Sequence, residues 1–343
     1  MEIELKIAQE NDAQLWDRIV DSSSQGTLFH TWKWLKIAES HTDTTLYPVL
    51  GVKGETVIGI LPIFYMKKYG IASAFSPPPS VAIPYLGPVI ENYEKYKQSK
   101  KESIEKNFLR SIDHYIFSQL NCGFTSFSLT LNHDPRPYKW ANYQLDPIFD
   151  YHIDINQNIT SIWQNMDANL KGHIKRTEKN GIYIENGSKK DLIDIYHSLA
   201  RRYREQKRPI TVSIEYLSEL FDTFSPANLQ VFVAKQNGNT VGGIITLSYK
   251  DHVLYWIGGA KPASANFSPN DLAQWEAIKF ANSHGYKIYE EIGAGTERLS
   301  EFKAKYNPKL VHRYSVKKYS SLFYLCAEKG YSHFIKRIIG RLV

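Results

Sequence analysis

The sequence predicts an α+β protein of two tandem domains, each a mixed, mostly antiparallel sheet flanked by helices. Three observations carry that expectation. The chain has 343 residues, enough for roughly two domains. The pattern G-x-T-V-x-G-I occurs twice, at Gly54–Ile60 and at Gly238–Ile244. Around both copies, helix-like and strand-like segments follow in the same order.

Each copy begins after an apolar stretch ending in lysine, Val49–Lys53 or Val231–Lys235. Each runs on into a second β-prone stretch, Leu61–Tyr65 or Ile245–Tyr249. This reads as a strand, a tight turn at glycine and a returning strand. Gly59 and Gly243 in the returning strands mark a bulge or a close backbone approach. Upstream lie helical stretches, Ala13–Ser40 and Leu192–Phe224. Downstream comes a helix closed by a glycine, then a strand: Ile104–Leu120, Gly123 and Phe124–Leu131 in the first half. The counterparts are Leu272–Ser283, Gly285 and Tyr286–Ile292.

The first domain is expected over residues 1–134 and the second over 151–320. Pro135, Pro137 and Pro147 make 135–150 a linker without regular structure. The second half opens on a strand, Tyr151–Ile155, and one long helix, Ser161–Asn180, ended by Gly181. Lys171, His173, Lys175, Arg176 and Lys179 near its end complement the helix dipole or form an anion-binding face. Residues 321–343 end in an amphipathic helix. Phe334, Ile335, Ile338, Ile339 and Leu342 form a stripe that packs on the protein body or lies on an anionic membrane.

Composition narrows the function classes. Abundant aromatics exclude a globally disordered chain. Lys plus Arg exceed Asp plus Glu by 42 to 35, which suits an anionic partner or a generic soluble surface. Two isolated cysteines, Cys122 and Cys326, build neither a disulfide framework nor a cysteine metal site. They fit a reducing compartment. The longest apolar run, Val57–Tyr65, is too short to cross a bilayer. The expected location is the cytoplasm, with peripheral contact at the inner face of the membrane. No G-x-S-x-G elbow, H-E-x-x-H zinc motif or P-loop occurs. No metal is expected.

The most informative stretch is Asn270–Tyr306, with Gly285, Glu291, Gly293, Phe302, Lys303 and Tyr306 as its marks. The basic run Leu170–Gly181 and the segment Leu28–Thr31 followed by Trp34 accompany it. Together with the doubled helix–strand order, these resemble the Fem-type aminoacyltransferases and their BioF-like acetyltransferase relatives in the GNAT superfamily. The resemblance implies attack of an amine on an activated acyl group without a covalent enzyme intermediate. It implies a donor that is either acyl-CoA or aminoacyl-tRNA; Gly258-Gly259-Ala260-Lys261 stands where a glycine-rich phosphate turn is usual. It marks Lys303 as stabiliser of the reacting carbonyl or anchor of a donor phosphate, against the reading of a solvated lysine. Glu291 becomes the candidate proton acceptor. Lys36, Arg176, Tyr203, Tyr255, Trp256 and Phe302 are the candidate substrate-binding residues. The strand pattern alone puts Glu290 and Glu291 on opposite faces and does not choose between them.

The expected activity is transfer of an acyl or aminoacyl group to an amine of a cell-envelope precursor, an amino sugar or a peptide stem. That acceptor can be lipid-linked, and tRNA or a membrane can be a partner. A CoA-dependent N-acetyltransferase acting on a small soluble amine is the alternative enzyme. A non-catalytic RNA- or membrane-binding module on a GNAT scaffold is the alternative of another class; steeply salt-dependent RNA binding without transfer would mark it.

Overall fold

The computed structural model describes residues 3–79, 81–207, 210, 212–258, 268–322 and 324. The chain forms two compact units, Met1–Pro147 with Arg313–Val343, and Ile148–His312.

In the first unit the elements run β1 (Glu4–Ile7), α1 (Ala13–Ser22), α2 (Trp32–Ser40), β2 (Thr45–Lys53), β3 (Thr56–Lys68), β4 (Ile71–Ser76), β5 (Val89–Ile90), α3 (Gln98–His114), β6 (Phe124–Ser128) and α4 (Arg136–Trp140). Strands β1 to β4 pair in order and antiparallel. Strand β6 then joins β4 in parallel. Phe108 and Ile112 of α3 pack with Leu61, Ile63, Ala74 and Phe127 of the sheet in one apolar core. Apolar side chains recur on α3 at helical spacing, and that stripe is what the sheet buries.

The second unit follows with β7 (Gln144–Asp154), α5 (Ile159–Asn165), α6 (Ala168–Lys179), β8 (Ile182–Asn186), α7 (Lys189–Glu205), α8 (Ile214–Phe224), β9 (Leu229–Gln236), β10 (Asn239–Tyr249), β11 (His252–Gly258), α9 (Pro269–Ser283), β12 (Ile288–Glu291) and α10 (Glu297–Lys303). Strands β8 to β11 pair in order and antiparallel, and β12 joins β11 in parallel. Strand β7 completes the row antiparallel to β12. In the first unit the matching place beside β6 is taken by the chain's last described strand, β13 (Lys309–Tyr319), also antiparallel. Each unit thus draws its sixth strand from outside its own run of five.

Both copies of the repeat fall at the same place, the turn and returning strand of β2–β3 and of β9–β10. Gly54 and Gly238 take positive φ, +62° and +76°, in open turns. Gly59 and Gly243 are needed for a different reason. A Cβ on Gly59 would lie 2.8 Å from the Val89 carbonyl oxygen, and one on Gly243 would lie 2.8 Å from that of Phe232. Neither backbone can yield cheaply. Gly59→Ala is therefore expected to cost about 1–3 kcal/mol, read as a lower urea midpoint; an unchanged midpoint would remove this account of the repeat.

The structure departs from expectation in two places. The single helix expected over 161–180 is two helices, broken at Met166–Asp167. Asp167 Oδ1 accepts from the amides of Asn169 (2.8 Å) and Leu170 (3.3 Å) and so caps a new helix. Residues 135–150, expected as linker, contain α4 and the start of β7. Pro135 and Pro137 sit at a helix start, where a missing N–H costs nothing. The expected C-terminal amphipathic helix and the 259–267 loop lie outside the described residues. No helix among the described residues is long and apolar enough to cross a membrane.

Candidate active site

Strand β12 is four residues long and held on both sides. Glu291 pairs with Tyr255 of β11 and with Tyr151 of β7. Tyr289, Glu290 and Glu291 are all buried. Tyr289 lies in the apolar core beneath α9, with Leu272, Trp275 and Ile278. On the same face, Gln274 of α9 donates from Nε2 to Glu291 Oε1. Glu291 Oε2 has no hydrogen-bond partner among the described residues. Burial pushes this carboxyl up to about 7; the Lys303 charge and the Gln274 bond oppose the rise, and Asp271 adds to it.

Lys303, the last residue of α10, is only 7% exposed. The solvated-lysine reading does not survive. Its ammonium donates to the carbonyl oxygen of Ile292 and, at 3.5 Å, to that of Gly293. Burial lowers its pKa from the ordinary lysine range, while the charges of Glu291 and Asp150 oppose that fall. Asp150 in β7 is fully buried and accepts at Oδ1 from the Gly293 amide, 2.6 Å away. The Ala294 amide donates to the Phe149 carbonyl at 2.7 Å. The turn after Glu291 is thus pinned from both flanks, and Gly293 meets it with φ +87°.

Strand β11 carries a bulge. Ile245 faces Ile257 and Thr246 faces Tyr255, leaving Trp256 as the extra residue. The bulge brings the Tyr255 hydroxyl against Gly258, where a Cβ would lie 1.9 Å from it. Burial raises the Tyr255 phenol above its usual range, with help from Glu291 and Asp271, and Arg202 of α7 opposes. Asp271, in the first turn of α9, lies 3.8 Å from His173 Nδ1 of α6. The Tyr306 hydroxyl donates to the Asp271 carbonyl at 3.4 Å.

The structure therefore gathers Glu291, Lys303 and Tyr255. It adds three residues that sequence reasoning missed: Gln274, Asp271 and Asp150. The first two left a trace, because they are polar positions on the otherwise apolar buried face of α9. Asp150 left none, lying in a stretch read as linker. Arg176 stands exposed on α6, and Tyr203 on α7 and Phe302 on α10 are half-buried. Lys36 lies in the first unit, exposed on α2, and pairs with Glu39 Oε2 at 2.5 Å. In that unit the last pair of the parallel ladder is Ser76–Phe127, with no acid where the second unit has Glu291. No group of His, Cys, Asp and Glu among the described residues is placed to hold a metal.

A buried carboxyl poised near neutrality, with one free oxygen and a cation beside it, is equipped to take a proton from an amine. Residues 164–304, which contain this cluster except Asp150, match the family described as acetyltransferase (GNAT) domain. No curated protein matches the sequence. Among solved structures, FemX shares the fold with a TM-score of 0.71 at 12% identity, over 92% of this chain and 97% of that one. L-PGS from Bacillus licheniformis gives 0.56 at 12%, over 92% and 95%. A tandem GNAT protein from the clavulanic acid biosynthesis pathway gives 0.57 at 9%, over 93% and 99%. The expected resemblance holds: a GNAT acetyltransferase domain within a Fem-like tandem fold.

Proposed function

We propose that this chain, an acyltransferase of the GNAT type with a Fem-like tandem fold, moves an acyl or aminoacyl group from an activated donor to an amine of a cell-envelope precursor. The acceptor is an amino sugar or a peptide stem. The observation that carries the catalytic reading is Glu291, 1% exposed, with its pKa near 7 and Oε2 unbonded among the described residues. The acceptor reading rests on the Fem-like fold and on the basic exposed positions of α6.

An amine attacks only when neutral. Glu291 accepts its proton as the nitrogen adds to the donor carbonyl. The C–N bond forms, the carbonyl π pair moves to oxygen, and collapse expels the donor's thiol or hydroxyl, which takes up a proton. Gln274 holds one carboxylate oxygen so that the other stays aimed. Tyr255, paired with Glu291 across β11 and β12, is the proposed proton donor for the leaving group. Arg176, Tyr203, Phe302 and Trp256 are proposed substrate contacts in the second unit, and Lys36 in the first.

The match to an acetyltransferase family favours a second reading, acetyl transfer from acetyl-CoA to a small soluble amine. One experiment separates the two. The protein is incubated with acyl-CoA species or charged tRNA and with amino-sugar or peptide acceptors, and amide products are identified by mass spectrometry. With saturating acceptor, turnover should rise with pH through about 7, because Glu291 must be ionised to act. Amide formation only with acetyl-CoA and small amines selects the second reading. No amide from either donor class, with RNA or vesicle binding retained, overturns both.

A further inference from the structure

We propose that Asp150 is a positioning residue that holds the Ile292–Gly293 turn and the Lys303 ammonium in place against the base Glu291. This inference rests on the reading of Glu291 as the base. It adds a residue that lies outside the matched stretch 164–304.

The geometry is a clamp on one turn. Asp150 takes the Gly293 amide at 2.6 Å from the β7 side. Lys303 takes the carbonyl oxygens of Ile292 and Gly293 from the α10 side. A Cβ on Gly293 would lie 3.8 Å from Lys303 Nζ, so the ammonium leaves no more than van der Waals room beside the turn. Both ends of the Ile292–Gly293 peptide are therefore satisfied by buried charged side chains of opposite sign. Charged donors and acceptors make stronger bonds than neutral ones, and such bonds are short and directional. Glu291 is the residue just before this turn, so any slack in the turn is slack in the base.

The clamp also sets charge. Around Glu291 stand Lys303 of α10, Asp271 and Gln274 of α9, and Tyr255 of β11, with Tyr289 on its own strand and Tyr306 after α10. Lys303 alone among these is a cation. Lys303 in turn faces two anions, Glu291 and Asp150. A buried ammonium sheds its proton more readily than a solvated one, and Asp150 opposes that loss. When Lys303 becomes neutral, its bonds to the Ile292 and Gly293 carbonyl oxygens weaken and the turn that carries the base slackens. Turnover should then fall at alkaline pH, and Asp150 should set where that fall lies.

Asp150→Asn isolates the charge, because its amide oxygen still accepts from the Gly293 amide. In this variant the alkaline limb of kcat should move down by about one unit or more. The acid limb, governed by Glu291 and the acceptor amine, should stay. Asp150→Ala removes the hydrogen bond as well and should lower kcat by about 10- to 100-fold with KM unchanged. Asp150→Glu keeps the charge and should keep the wild-type alkaline limb. A folded Asp150→Asn whose profile superimposes on the wild type overturns the inference. If Asp150→Asn does not fold, a shifted alkaline limb in Asp150→Glu overturns it instead. Failure of the underlying reading looks different: Glu291→Gln would then retain turnover, whatever Asp150 does.

Discussion

Glu291→Gln should lower acyl transfer by about 100- to 10,000-fold, the range for losing a positioned general base. Glutamine keeps the shape and can still meet Gln274, but it cannot take a proton at pH 7. The residual rate should lose the rise through about 7 that the wild type shows. The same variant should fold well. The folded-state pKa of Glu291 lies near 7, above its ordinary value of 4.5. Between those two values the folded state binds more protons than the unfolded chain. The contribution of Glu291 to stability is fully present below about 4.5 and is lost as pH rises through 7. A neutral glutamine escapes that loss, so at pH 8 Glu291→Gln should melt no lower than the wild type. Turnover within a few-fold of wild type at pH 7 would exclude Glu291 as the base. A collapse in Tm at pH 8 would mean that the ionised carboxylate holds the site together.

Lys303→Met should be costly in two ways, and this is where the structure changes the expectation most. A solvated lysine would be dispensable to the fold. Lys303 is buried, and its removal strips a donor from two carbonyls and a cation from Glu291 and Asp150. Breaking one side of a buried charged set typically costs about 3–5 kcal/mol, so Tm should fall measurably. Transfer at pH 7 should fall by about 100-fold, the scale of one electrostatic stabiliser. Part of that loss should return at higher pH. Lys303 opposes the rise in Glu291's pKa, so without the lysine the base needs a higher pH to ionise. Lys303→Arg should rescue poorly, because a planar fork does not fit where a compact ammonium meets two carbonyl oxygens. Lys305→Ala is the control, since the bond made there, from the Asp167 amide, goes to its main-chain oxygen. If Lys303→Met and Lys305→Ala match in Tm, rate and pH profile, the charged cluster around Glu291 has no functional meaning.

The two variants also divide the labour within the site. Losing Glu291 should leave only the acceptor amine's share of the acid limb, whereas losing Lys303 should displace the share that belongs to Glu291. Asp150→Asn should move only the alkaline limb. Three residues on three elements, β12, α10 and β7, are thus separable by the shape of one curve.

Much of this fold is legible in the sequence because its signals are local. A turn glycine with positive φ acts within its own turn, and Gly181 and Gly285 close helices of the second unit. In the first unit Asn121 (φ +54°), not the expected Gly123, takes the positive φ after the helix. Gly59 and Gly243 leave room for the more distant Val89 and Phe232 carbonyls. Repeating them made the duplication visible before any long-range contact was known. Glu291 and Lys303 were reached through the resemblance of Asn270–Tyr306 to a family, not through their own chemistry. The resemblance favours Glu291 over Glu290; tertiary structure alone shows that Glu291 is the one that meets Gln274 of α9. Both faces of β12 are covered, so alternation carries no information about which carboxylate meets α9. The break at Asp167 is local in origin, a side-chain cap on the next turn, to which the folded chain adds the bond from the Asp167 amide to the Lys305 carbonyl. The strands β7 and β13 show the limit most clearly. A strand's pattern encodes that one of its faces is buried, but not which neighbour it joins, so the partner beside β6 and the partner beside β12 were beyond local reading. Asp150 inherits that limit: it matters because β7 lies against β12, and only the folded chain brings the two together.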